Sequence, residues 1–276
     1  CFFIFYLIET LGLLLEIITK KVRRPVFTLR GLEIIGTGIV FVVVGLIVVF
    51  IFGGAKGIVA ALITDVTLLF SIPFAVLWTA PFVWWKKVKE IKEAKKILEK
   101  VSPTIVAITG SFGKTSTKEW TSSILSAKFN VAKTEGSENT EFGIARKIQK
   151  NVKEDTEVFI AEMGAYKKGE IKKLCQIAPP KVSVITSIGN QHLALFGSRE
   201  NIARTKYEVI AALPKDGIAI FNGDNAACFS LAKDESRETY VYTTKQHLGK
   251  KLKALKPNIH FVYARNITVE KSKLSF

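Results

Sequence analysis

The run Ile105-Val106-Ala107-Ile108-Thr109-Gly110-Ser111-Phe112-Gly113-Lys114-Thr115-Ser116-Thr117 decides the reading of this chain. A β-branched, apolar stretch enters a turn with two glycines, then Lys-Thr, then a helix-forming segment. That order is the architecture of a phosphate-binding loop. Glycines let backbone N–H groups approach phosphate oxygens, and the following helix points its positive end at them. On this reading Gly110, Ser111, Phe112 and Gly113 form the cradle and Ser116 lies in the first helical turn. Lys114 reaches the terminal phosphates, and the Thr115 hydroxyl suits Mg²⁺. The spacing is G-x-x-G-K-T; the longer GxxxxGK[ST] form would place its first glycine where Ile108 stands. A glycine turn before a lysine is often only a turn, but here the strand before it and the helix after it supply the context the motif requires.

Working outward, residues 118–129 read as a helix and 157–161 as a short apolar strand running into Glu162-Met163-Gly164-Ala165. Residues 181–186 form another strand, followed by Ser187-Ile188-Gly189-Asn190-Gln191-His192. Ser198 is an N-cap for a helix reaching residue 213, with Glu200 in its first turn. A turn at 214–217 precedes a strand at 218–221 that leads to Asn222-Gly223-Asp224-Asn225. Strand–helix alternation predicts an α/β fold, a mostly parallel sheet with flanking helices. Ligands of such sheets bind at the carboxyl ends of the strands. Glu162, His192 and Asn222 all follow strands and can share a crevice with Lys114. Mg²⁺ prefers oxygen ligands, one or two carboxylates plus phosphates, which suits Glu162 with Thr115.

The N-terminal third differs in composition. Three apolar stretches, 2–18, 32–52 and 58–85, have the length expected of bilayer-crossing helices. Lys20, Lys21, Arg23, Arg24 and Arg30 separate the first two, only Lys56 separates the second from the third, and six lysines follow residue 85. The positive-inside rule then predicts about three transmembrane helices over 1–85, multi-pass in the cytoplasmic membrane, with the remainder facing the cytoplasm. Residues 86–102 read as a basic connecting helix, mainly solvated, whose lysines face water or membrane lipid. Residues 103–276 form the nucleotide-binding domain. The net charge of +16 invites a nucleic-acid partner, but no recognition motif supports one beyond the nucleotide itself. Three distant cysteines give no CxxC pair and so no zinc ribbon. A first residue Cys1 and a single Met163 lead us to expect a fragment.

Over residues 103–276 the motifs, in order and spacing, resemble the ATP-dependent Mur ligases, most of all their MurF branch. The stretches that carry the likeness are 109–115, Glu162-Met163-Gly164-Ala165 with Lys168-Gly169-Glu170-Ile171, His192-Leu193 with Phe196-Gly197-Ser198, Glu200 to Arg204 with Lys206, and Asn222-Gly223-Asp224-Asn225. The resemblance implies an ATP-dependent ligase that joins D-Ala-D-Ala to a muramoyl-peptide precursor, UDP- or lipid-linked, through an acyl phosphate. It implies that Lys114 and the loop amides hold ATP, and that Thr115 and Glu162 bind one Mg²⁺. His192 would help bind a second cation. Lys206 matches a lysine carbamylated in these ligases, and a carbamate would make it an anionic metal ligand. Asn139 would lie near the γ-phosphate, and Asn222 and Asp224 would contact the nucleotide. The family's C-terminal domain is expected to be missing after Phe276. Two other readings stand beside this one: a ligase of the folylpolyglutamate or cyanophycin type, and a non-catalytic membrane-bound nucleotide-binding protein.

Overall fold

The computed structural model describes residues 29–52, 54–136, 138–245, 256–265, 268–270 and 273–275. The chain divides into two compact units that part between Trp85 and Lys86. The first unit contains helix α1 (Leu29–Phe52) and most of the apolar half of a long helix, α2 (Gly54–Val101).

Among the described residues no helix is long and apolar enough to cross a membrane. This overturns the expectation of transmembrane helices at 32–52 and 58–85, and with it that of a multi-pass location in the cytoplasmic membrane. It also removes the support for membrane lipid as a partner. The third apolar stretch does not stand as a separate element: it runs on within α2 into the Lys/Glu-rich segment and contains Pro73 and Pro81. The first stretch lies outside the described residues.

In the second unit, β1 (Thr104–Thr109), β2 (Val131–Lys133), β3 (Val158–Glu162), β4 (Val182–Ile185), β5 (Ile218–Asn222), β6 (Glu238–Thr243) and β7 (Ile259–Tyr263) form one sheet. Its order is β2-β3-β1-β4-β5-β6-β7, and every pairing is parallel. A separate antiparallel pair, β8 (Thr268–Glu270) with β9 (Lys273–Ser275), follows. Helices α3 (Lys114–Leu125), α4 (Glu141–Asn151), α5 (Glu170–Ile177), α6 (Leu193–Phe196), α7 (Arg199–Ala211) and α8 (Ala226–Asp234) connect the strands.

The central strands are apolar at nearly every position because both faces of the sheet are covered. Period-two alternation divides their side chains. Ile105, Ala107, Phe159, Ala161 and Ile185 point into the larger core with residues of α4, α5, α7 and α8. Val106, Ile108, Val158, Ile160 and Val184 point to the opposite face, beside Leu125 of α3. Capping side chains start three helices: Thr140, Ser198 and Asn225 accept from the backbone N–H three residues on. The expected helix at 118–129 in fact begins at Lys114, because the glycine turn feeds it directly.

The segment expected to be a mainly solvated connecting helix is docked. Ala94 and Leu98 of α2 are buried in the larger core, with Ile91, Ile97 and Val101 packed beside them. Gln149 Nε2 donates to the Glu90 carbonyl at 2.8 Å, and Lys87 pairs with Glu141 at 2.7 Å. The apolar stripe therefore serves this unit as part of its core, while the intervening lysines stay outside.

Candidate nucleotide-binding site

Strand register brings the functional ends together. Ile108 lies opposite Glu162, Thr109 opposite Ile185, and Asn222 opposite Tyr242. The carboxyl ends of β3, β1, β4 and β5 therefore form one rim, and the loop at 110–113 rises from its middle.

The loop is clamped by the residues that follow β4. Ser111 N donates to Ser187 O at 2.8 Å, Phe112 N to Ser187 Oγ at 2.9 Å, and Thr186 Oγ1 to Phe112 O at 2.6 Å. Gly189 N donates to Ser111 Oγ at 3.0 Å. Gly110 has no room for a side chain: a Cβ there would fall 2.0 Å from Thr186 Oγ1. Helix α3 starts at Gly113 with no side-chain cap, unlike α4, α7 and α8. Its first N–H groups are thus left to an external acceptor.

Lys114 Nζ folds back onto the loop, donating to Gly110 O at 2.9 Å and more weakly to Ser111 O at 3.5 Å. Burial pulls its pKa below the ordinary lysine value, and the Glu162 charge opposes that pull. Glu162 is itself buried at the end of β3. Thr115 Oγ1 donates to Glu162 Oε2 at 3.0 Å and Asn139 Nδ2 to Glu162 Oε1 at 3.3 Å. Asn139 is held against the β3 exit: Gly164 N donates to Asn139 O at 3.1 Å, and a Cβ on Gly164 would fall 2.5 Å from Asn139 Cγ.

The other expected residues lie around this cluster in different ways. Asn222 joins it through Thr186, whose carbonyl accepts from Asn222 Nδ2 at 2.9 Å. Lys206, buried in α7, has its pKa lowered to about 8, first by burial and then by the charge of Lys114, against the pull of Glu170 and Glu208. Ser116 is exposed in the first turn of α3, and the Phe112 ring is exposed beside Gly189. His192 is not bonded to the cluster in any described contact. It caps α6 in a left-handed conformation, φ 58°, and its ring meets Tyr166 edge-on at 4.7 Å. Asp224 turns to the next strand end, accepting from Thr243 Oγ1 at 2.6 Å and Thr244 Oγ1 at 2.9 Å. Burial resists its ionisation, but these hydrogen bonds prevail and hold its carboxyl below the usual range.

Lys118, Tyr166 and the clamping Thr186 escaped the sequence reading. Lys118 is fully buried, with Nζ 2.7 Å from Gly136 O and 3.4 Å from Glu162 Oε2. Its position one turn after Lys114 was the available signal, since i and i+4 share a helix face. Tyr166, beside His192, gave no signal short of the fold. Among the described residues, no group of three or more His, Cys, Asp or Glu gathers as a metal site.

Comparison with known proteins agrees with this geometry. The family model described as the Mur ligase middle domain matches residues 108–274. A UDP-N-acetylmuramoyl-tripeptide–D-alanyl-D-alanine ligase of Bacillus subtilis is 38% identical over 154 residues, 56% of this chain and 33% of that protein. The ligase of the same name from Escherichia coli is 36% identical over 129 residues, 47% of this chain and 28% of that protein. Among solved structures, the MurF ligase of Thermotoga maritima in complex with ADP superposes with a TM-score of 0.54 at 36% identity, over 58% of this chain and 37% of that one. The chain thus spans about a third or less of the curated relatives it matches.

Proposed function

Because this chain belongs to the Mur ligase family through its middle domain, we propose that it serves an ATP-dependent ligase of peptidoglycan precursor synthesis, joining D-Ala-D-Ala to a UDP-muramoyl-tripeptide. The observation that carries this reading is the clamped loop at 110–113 with the Lys114, Thr115, Asn139 and Glu162 cluster beside it. The named ligases of B. subtilis and E. coli and the ADP complex of the T. maritima enzyme supply the reaction and the nucleotide.

In this reading the uncapped amides of α3 and the loop N–H groups bind the ATP phosphates, and Lys114 leaves its backbone carbonyls for the γ-phosphate. Those carbonyls are neutral acceptors, so the exchange gains a full charge pair. Glu162 and Thr115 offer oxygen donors 3.0 Å apart, a set that suits Mg²⁺. When bound, Mg²⁺ neutralises charge on the phosphoryl group during transfer to the substrate carboxylate. Asn139, pinned by Gly164, points its amide at the same corner. Asn222 and Asp224 would contact the nucleotide, and His192, whose ring meets Tyr166 edge-on, would serve a second cation. Lys206, with a pKa of about 8, is partly neutral near that pH. A neutral amine is the form that attacks CO₂, losing a proton as the carbamate forms. The dipeptide amine then attacks the acyl phosphate and phosphate departs, so the chemistry asks the protein for positioning more than for a nucleophile.

The test is phosphate release by the whole protein given ATP, Mg²⁺, D-Ala-D-Ala and UDP-muramoyl-tripeptide. Release that requires both acceptor and dipeptide is expected, and Lys114→Met should abolish it. Release driven equally well by another amine would reassign the substrate while leaving the nucleotide site intact.

A further inference from the structure

Lys118 is a charge where none was expected. Its side chain is fully buried. A buried ammonium persists only where opposite charge and hydrogen bonds replace its water. Here Nζ donates to Gly136 O at 2.7 Å and lies 3.4 Å from both Glu162 Oε2 and Glu119 Oε1. Glu119 is half exposed and is shared with Lys133. Glu162 is sealed at the end of a central strand, so it is the buried partner. A surface lysine can swing away when a competing cation arrives. Lys118 has no such freedom, because its side chain is fully buried.

This fixed charge changes what the Glu162 corner offers. Glu162 brings one negative charge, and Lys118 balances it in place. A divalent cation drawn to Glu162 and Thr115 meets a carboxylate that is already paired, with a positive charge it cannot displace. We propose that Lys118 is a resident counter-cation that keeps the divalent-cation affinity of the Glu162–Thr115 corner low until nucleotide phosphates supply the missing negative charge. Metal and nucleotide are then taken up together. The inference rests on the reading of that corner as the cation site. Lys118 acts through Glu162 and is a positioning residue rather than a catalytic one.

Magnitude favours an effect that can be measured. At the effective dielectric constant of about 20 that suits protein sites, a unit charge within a few ångströms of a divalent ion shifts its affinity by at least about tenfold. The probe is Mn²⁺, titrated into the whole, nucleotide-free protein and followed by electron paramagnetic resonance, with circular dichroism to verify folding. Wild type should bind weakly, Lys118→Met at least about tenfold more tightly, and Lys118→Arg as weakly as wild type. Adding a non-hydrolysable ATP analogue should tighten Mn²⁺ binding strongly in wild type and much less in Lys118→Met. Should Lys118→Met not fold, Lys118→Gln, which can still donate to Gly136 O, carries the same expectation. Equal or weaker Mn²⁺ binding in the folded neutral variant overturns the inference alone. Absence of Mn²⁺ binding in every protein, with and without nucleotide, overturns the cation-site reading and the inference with it.

Discussion

Lys206 makes stability and pH testable together. Its side chain is buried in α7, and its pKa stands at about 8 against an ordinary 10.5. Below about pH 8 the folded and unfolded chains both hold the proton, and the fold carries the whole cost of a buried ammonium. Between about 8 and 10.5 the unfolded chain binds more protons than the folded one, so stability rises with pH through that window. The descent in pKa corresponds to a cost of about 3 kcal/mol at neutral pH. Near pH 9.5 the unfolded amine is still mostly protonated, and roughly 2 kcal/mol of that cost is relieved.

Lys206→Met removes the titrating group and keeps most of the apolar stem. Urea unfolding of both proteins at about pH 7 and pH 9.5, in buffers stripped of CO₂, isolates the term, because every titration that does not couple to Lys206 is common to the pair. The stability of wild type relative to Lys206→Met should rise by roughly 2 kcal/mol between the two values. Bicarbonate near pH 8 should raise the wild-type melting temperature and leave the variant unmoved, since only Lys206 gains a carbamate. A difference that stays flat or falls with pH would show that burial does not set the Lys206 titration. The account of why this lysine is open to CO₂ would fall with it.

Gly110→Ala drives a Cβ onto Thr186 Oγ1 and breaks the clamp on Phe112 O. Overpacking and the lost hydrogen bond should together cost about 2–4 kcal/mol, and calorimetry should show at least tenfold weaker ADP binding. An unchanged denaturation midpoint would remove the clamp from the argument. Leu98→Ala tests the docked end of α2: denaturation should show a loss of about 2–4 kcal/mol, where a solvated helix would lose no more than about 0.5. Ser198→Ala removes the cap that accepts from Asn201 N at 3.1 Å. It should lower stability by about 1 kcal/mol while ADP affinity holds.

The limits of reading this chain from its sequence follow from how far apart the interacting residues lie. The loop at 110–113 was legible because strand, glycine turn and helix are adjacent in sequence and each has its own local signal. Glu162 was legible because parallel sheets place ligands at strand ends, whatever their register. Lys118 was not, because in sequence it is one more lysine on a helix beside a glutamate, and such pairs usually face water. Only the pairing of Ile108 with Glu162 lays β3 beside β1 and buries a carboxylate against that helix face. The docking of Leu98 went unread for a related reason. Its stripe was visible at helical spacing, but periodicity gives a face and not what covers it. The strands β6 and β7 went unread, since each is short and mixes polar with aromatic residues. The third apolar stretch shows the converse error. Length and hydropathy set it apart as a span, whereas it belongs to one helix with the charged segment that follows it. The part of the site built from local chemistry could therefore be named in advance, and the charge that we infer governs its metal affinity required the sheet.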